Sequence, residues 1–405
     1  MPQIPGAFER VVAACRTERA LILACVAGFA FSANYTNHAP LVPLLQAQFT
    51  FSKALAGLLT SGIFLTHALM QVPGGHLADR FGGKRVLLMA LAVVAGGNAG
   101  LALSTSYAQL LGWKIVVGLG TGTSFVAGAR FLTAATPAAR LARAQGIYGA
   151  SILAGSGFVI FALPRIAAHV GWTGAFWSTV AVALLAAALW LAFAKSPSPV
   201  AHPPSHLLEM LTHGQLWLLG LVQMASFGLV IVIGSWVTLL LTTNLGLAPK
   251  TAGALGSLVL LLGIVSRPLG AHFVGTMGVR PLLALSLLLN AAACFAMAAF
   301  SHSFTVTAAG ILALGVGCGL PYAALFTRAA ALFPGRAGAA MGLVNMLGIV
   351  MILIGAPLVG RLADVTRTFT SSFVALGAFS LAILLTSQFI HAEAARAQIR
   401  NGDRP

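Results

Sequence analysis

A chain of 405 residues in which 59% are hydrophobic and only 7% are charged cannot cover its own surface with polar groups. Soluble domains carry about 25% charged residues, so the solvent around most of this chain is hydrocarbon. The net charge of +16 would suggest nucleic acid in a soluble protein; in a membrane chain the cytoplasmic loops collect the same cations, and a nucleic-acid partner is set aside.

A spanning helix needs roughly 20 apolar residues. In chain order the first six fall at roughly 19–42, 54–75, 86–105, 108–131, 144–167 and 173–194. A Pro-, Ser- and His-rich stretch, "AKSPSPVAHPPSHLLEMLTHGQ", interrupts the pattern and cannot continue a helix. Six more follow at roughly 215–242, 251–272, 281–300, 305–328, 338–361 and 372–391. The expected fold is an all-α membrane protein of about 12 transmembrane helices in two six-helix, pseudo-symmetric bundles. Its expected parts are roughly residues 1–194 and 215–391 for the bundles, 195–214 for a cytoplasmic linker and 392–405 for a cytoplasmic tail. The first apolar run has no small-residue cleavage site after it and is read as a retained helix, not a signal peptide.

Both termini are placed in the cytoplasm. Arg80, Lys84, Arg85, Arg130, Arg140, Arg143, Lys195, Arg280, Arg328 and Arg336 then gather on that side, against Lys53, Arg165, Lys250, Arg361 and Arg367 opposite. The four cysteines are far apart and have no metal-ligand spacing, so no metal site or cofactor is expected.

The halves repeat. A shift of about 196 residues lays "GGHLADRFGGKR" on "LGAHFVGTMGVR", matching Gly82 with Gly278 and Lys84 with Arg280. Nearly the same shift matches Gly118, Gly120 and Gly122 with Gly315, Gly317 and Gly319, and Pro137 with Pro334. Three blocks in order at one offset describe a duplicated six-helix unit in one orientation.

"GGHLADRFGGKR" between the second and third helices resembles the loop signature of the major facilitator superfamily, and "KIVVGLGTG" (residues 114–122) resembles its fourth-helix signature, with Lys114 where Arg is usual. The resemblance covers essentially the whole chain. It implies that helices one, four, seven and ten line a central cavity, and that two bundles rock to expose it to alternate sides. It is nearly silent on substrate, because one fold serves many cargoes.

Asp79, in a short loop within that signature, is expected to meet the positive N-terminus of the eleventh helix near residues 338–342 and to latch the cytoplasmic side. Arg80, Lys84, Arg85 and Arg130 could pair with it or with lipid phosphates, while Gly75 and Gly82 let helices approach and the loop turn. The other reading of Asp79 is a solvated loop acid.

Ionisable groups inside a membrane are functional candidates. Arg267, in "GIVSRPLG", has neighbours that resemble those of nitrate and nitrite porters, where a second, symmetry-related Arg completes a clamp on one small anion. Here the equivalent position is the neutral Gln71, or Val72 if Pro73 is laid on Pro268, and either way the clamp lacks its second Arg. Arg267 either binds an anion or snorkels to the interface, and Lys114 poses the same choice toward the outer side. The polar run "SANYTNHAP" (residues 32–40) puts Asn34, Tyr35, Asn37 and His38 where lipid-facing residues would be apolar, facing a cavity or capping the helix end. His38 and His67 are candidates for proton coupling, or merely hydrogen-bonded histidines. Tyr322 and Trp236 are further candidate substrate contacts, with packing as the plainer reading.

None of the seven acids falls in the middle of a predicted span, which disfavours cationic cargo. No HExxH, GxSxG or carboxylate pair suggests an enzyme. The expected function is therefore a monomeric secondary carrier for a small inorganic or carboxylate anion, coupled to protons or to a counter-anion, in a bacterial-type inner membrane. The alternative is a proton-coupled exporter of neutral or weakly acidic organic compounds, which the glycine-rich "GIYGASILAGSG" loosely supports.

Overall fold

The computed structural model describes residues 7–195, 207–333 and 337–390, except for the side chains of residues 7–16, 79, 138, 139, 141, 142, 207, 208, 337 and 338. Among the described residues all regular structure is helical. The first half holds α1 (Ala7–Ser32), α2 (Val42–Phe49), α3 (Lys53–Leu69), α4 (Gln71–Phe81), α5 (Gly83–Ala102), α6 (Tyr107–Ala135) and α7 (Ala138–Phe193). A short α8 (Leu207–Leu211) forms inside the stretch expected to be only linker. Then come α9 (Gly214–Gln223), α10 (Leu229–Leu245), α11 (Pro249–Leu261), α12 (Gly263–Met277), α13 (Val279–Ala299), α14 (Phe304–Gly317), α15 (Pro321–Leu332), α16 (Ala337–Thr366) and α17 (Thr370–Ser387).

Nine described stretches are long and apolar enough to cross a membrane, or ten with α3 and α4 as one span bent by 43°. One of the nine, α7, turns at Gly171, where φ 69° and ψ 178° are not helical, so it supplies two crossings. With α1, the total reaches the twelve that the apolar pattern predicts. Leu185, Leu191, Val265 and Leu385 are more than half exposed, as lipid-facing side chains should be.

Packing explains the glycines. Without a hydrophobic drive between helices in lipid, close backbone approach takes over. A side chain at Gly118 would strike Ile63 and Thr66 of α3, and one at Gly120 would strike Ala90 and Val94 of α5. In the second half, Gly315 meets Leu258 and Leu262, and Gly317 meets Ser286 and Asn290. These partners are themselves about 196 residues apart, so the duplication seen in the sequence is a duplication of contacts. Gly82 (φ 83°) and Gly278 (φ 86°) likewise make the same positive-φ turn between α4 and α5 and between α12 and α13.

The halves meet along two related seams. Pro357, inside α16, has no N–H for the carbonyl of Leu353, four residues earlier. Ser61 of α3 donates its hydroxyl to that carbonyl at 2.7 Å. Gly57 of α3 packs on the backbone of Ala356 and Pro357, and Gly253 of α11 packs on the carbonyl of Ile160 beside Pro164 of α7. One hydrophobic core draws on residues from Ala20 to Leu376 and so belongs to both halves.

Two expectations are corrected here. The first helix does not run to residue 42 but stops at Ser32 and resumes in a 3-10 turn, Ala39–Leu41, because polar side chains take over its backbone bonding. Asp79 is not in a loop: α4 continues to Phe81, and the single residue Gly82 separates it from α5.

Gly171 meets no atom within 4 Å where a Cβ would stand, so only its backbone resists substitution. Gly171→Ala should lower stability by about 1–3 kcal/mol, because that conformation is essentially reserved for glycine. Gly146→Ala, helical with equally open space, should be neutral or stabilising by up to about 1 kcal/mol. Thermal unfolding of purified protein in detergent checks both.

Candidate functional site

Residues 33–38, between α1 and the 3-10 turn, form a break in the first span. A break in hydrocarbon leaves carbonyls and amides that must find other partners. Lys114 of α6, fully buried, supplies two: its ammonium donates to the Asn34 carbonyl at 3.0 Å and to the Asn37 side-chain oxygen at 2.5 Å. Asn37 donates to Asn98 of α5 at 3.0 Å, and Thr179 of α7 donates to the same Asn98 oxygen at 3.1 Å. Thr36 donates to the Ser156 carbonyl, and the Ser156 hydroxyl to that of Ser32. Lys114 thus neither snorkels nor faces open space; it pins the broken helix.

From the same break His38 reaches Thr60 through Nε2 at 3.0 Å, and Thr60 donates to Ser235 of α10 at 3.1 Å. This short chain crosses from one half to the other. His38 Nδ1 is buried and has no hydrogen-bond partner.

Tyr35, in the same break, belongs to an aromatic group. Tyr35 stands edge-on to His67 with ring centres 5.3 Å apart and packs on Phe64 at 4.8 Å. Phe125 contacts both His67 and Tyr148. His67 Nδ1 lies 3.2 Å from the Thr121 hydroxyl, so one of its ring nitrogens is engaged.

Arg267, on α12, is nine-tenths buried and therefore does not snorkel. Its guanidinium lies 4.0 Å over the ring of Tyr322 on α15 and donates Nη1 to the carbonyl of Gly149 on α7 at 3.0 Å. It thereby joins second-half helices to the residue next to Tyr148. Nε has no partner, and no ion pair reaches Arg267 among the described residues. Gln71, also nine-tenths buried, has an unpartnered amide nitrogen.

Other expected residues lie elsewhere. Trp236 donates its indole N–H to the Ala356 carbonyl and belongs to the α3–α16 seam. Arg80 stacks over Phe81, and Lys84 donates to the Leu191 carbonyl near the end of α7. Arg85 is exposed, and Gly75 lies against the Arg130 guanidinium. The Asp79 side chain is outside the described residues, and with it the contact expected with the start of α16 near residues 338–342.

The sequence profile of the Major Facilitator Superfamily matches residues 24–240 and, a second time, residues 216–402. The chain belongs to this superfamily. It is a multi-pass membrane transporter, not an enzyme. Its curated relatives include a probable nitrate/nitrite antiporter of Thermus thermophilus, 24% identical over 75% of this chain and 76% of that one. A 2-nitroimidazole transporter of Escherichia coli is 27% identical over 86% and 89%. Among solved structures, a D-xylose–proton symporter superposes with TM-score 0.79 at 16% identity, covering 93% and 98% of the two chains, which shows a shared fold.

Asn98, Thr60, Ser156, Thr179 and Ser235 are parts of this superfamily member's polar interior that the sequence reading missed. Their signal was only a lone hydroxyl or amide per helix, which is common in any span. Arg328, expected on the cytoplasmic side at the end of the span 305–328, is buried on α15 with an unpartnered Nη1.

Replacing Lys114 by Met removes the donor for the Asn34 carbonyl and the Asn37 amide. Each orphaned group should cost about 1–3 kcal/mol. A clear fall in the thermal unfolding midpoint is expected, measured without substrate.

Proposed function

We propose that this transporter carries a small anion by alternating access, with Arg267 as the principal charge on the cargo. The carrying observation is the buried Arg267 guanidinium, which no carboxylate neutralises among the described residues and whose Nε is unpartnered. A guanidinium presents forked donors suited to planar or tetrahedral oxyanions. In a low-dielectric interior, such a charge favours an arriving anion over a cation. Relatives named for nitrate and nitrite support this reading, including a nitrite extrusion protein of Bacillus subtilis at 23% identity.

Gln71 would add an amide donor to one side of the anion, and Tyr322 would hold the guanidinium plane from beneath. His38 and His67 are the groups proposed for proton coupling. The two repeats would rock as six-helix bundles about the site. The distribution of Lys and Arg supports cytoplasmic termini in a bacterial-type inner membrane.

A second reading rests on Tyr35, Phe64, His67, Phe125 and Tyr148, whose rings would suit a flat, neutral nitro-aromatic, and on the relative named for 2-nitroimidazole.

Purified protein in liposomes should take up one member of a panel of nitrate, nitrite and small carboxylates saturably, and a pH gradient will separate symport from exchange. Loss of one charge-assisted bond is worth about 1.5–3 kcal/mol, so Arg267→Gln should weaken uptake about ten- to a hundredfold. Arg267→Lys, which keeps the charge without the fork, should fall between. Uptake of 2-nitroimidazole but no anion, insensitive to Arg267→Gln, would favour the second reading.

A further inference from the structure

The start of α3 is completed by a residue from the other half of the chain. A helix leaves its first four N–H groups without intrahelical partners. In α3 the Ala56 N–H makes the first helical bond, to the Ser52 carbonyl at 3.0 Å, and the Leu55 N–H donates to the Ser52 hydroxyl at 3.2 Å. Those of Lys53 and Ala54, between them, donate to the two carboxylate oxygens of Asp364 at 3.1 and 2.9 Å. The Lys53 ammonium lies 3.9 Å from the same carboxylate.

Asp364 sits in the last turn of α16, where a negative charge opposes its own helix dipole. Its placement makes sense only with the positive end of α3 facing it. Behind this contact the seam is tight: a side chain at Gly360 would strike the backbone of Lys53, and Gly57 packs on Ala356 and Pro357.

The related seam between α11 and α7 lacks the device. There α11 starts at Pro249, its N-cap Ala248 makes no side-chain bond, and the shift that relates Gly57 to Gly253 and the Ala356 carbonyl to that of Ile160 puts Ala168 where Asp364 would be. The cap is therefore not a by-product of the duplicated fold. A sequence pattern marks it: residues 360–364 read GRLAD and residues 75–79 read GHLAD. In both α16 and α4 the Asp comes two residues before the helix ends, and the two helices end at opposite ends of the bundle.

We propose that Asp364 is a latch that holds the Lys53 end of the protein closed by capping α3, and that this end opens when the Lys53 and Ala54 amides leave the carboxylate. The latch acts through the helix end, with the Lys53 ammonium secondary, because a partly exposed ion pair contributes little. It operates whatever the cargo, so it stands apart from the anion reading.

The test needs no substrate. A cysteine at Ser235, buried beneath the seam, is labelled with a membrane-impermeant maleimide applied separately to each face of membrane vesicles. The same chain without the added cysteine corrects for the native thiols. From the Lys53 face, Asp364→Ala should raise the labelling rate roughly tenfold through a larger open population. Asp364→Asn, which keeps an acceptor oxygen without the charge, should raise it less, and it carries the test if the alanine variant does not elute as a single species. Lys53→Ala should stay near the parent rate. Parent-like labelling in a folded Asp364 variant, or equal opening in Lys53→Ala, would overturn the proposal.

Discussion

In hydrocarbon a backbone amide or carbonyl without a partner costs several kcal/mol, and this protein's least regular features are organised around that constraint. At three places a side chain from another helix takes a backbone group that has no helical partner. Pro357 frees the Leu353 carbonyl, and Ser61 takes it. The break after Ser32 frees the Asn34 carbonyl, and Lys114 takes it. The amides that open α3 are closed by Asp364. Each repair joins helices that the chain order keeps apart. The irregular places are thus also the places where the halves, or the helices within a half, are fastened.

This explains which parts of the fold were legible in the sequence. Apolar length gives the spans, and glycine spacing gives the repeat, since a glycine that touches another backbone must be kept in both copies. The packing of Gly118 and Gly315 on equivalent partners is the physical content of that alignment. The break in the first span was visible only as polarity. "SANYTNHAP" announces residues that cannot face lipid, but whether a helix tolerates them or unwinds depends on Asn98, Lys114 and Ser156, which lie on three other helices.

The candidate site was legible to the same degree. Charge inside a span singles out Arg267 and Lys114 equally, yet the two are used differently. Lys114 has neutral oxygens already waiting for it, while Arg267 keeps an unpartnered Nε and shares its faces with Tyr322 and Gly149. Sequence cannot separate these cases, because the acceptors that quiet Lys114 are a backbone carbonyl and a side-chain amide in the break after α1, about 80 residues away along the chain. Asp364 was overlooked for a related reason. It reads as an ordinary acid at a helix end until the start of α3 is seen against it.

The bond from Ser61 to the Leu353 carbonyl carries a consequence of its own. That carbonyl has no helical N–H to fall back on, because Pro357 stands where the donor would be. If α3 and α16 part, it must bind water at once or remain bare. A seam built this way cannot open dry. Hydration has to advance between the helices wherever they separate.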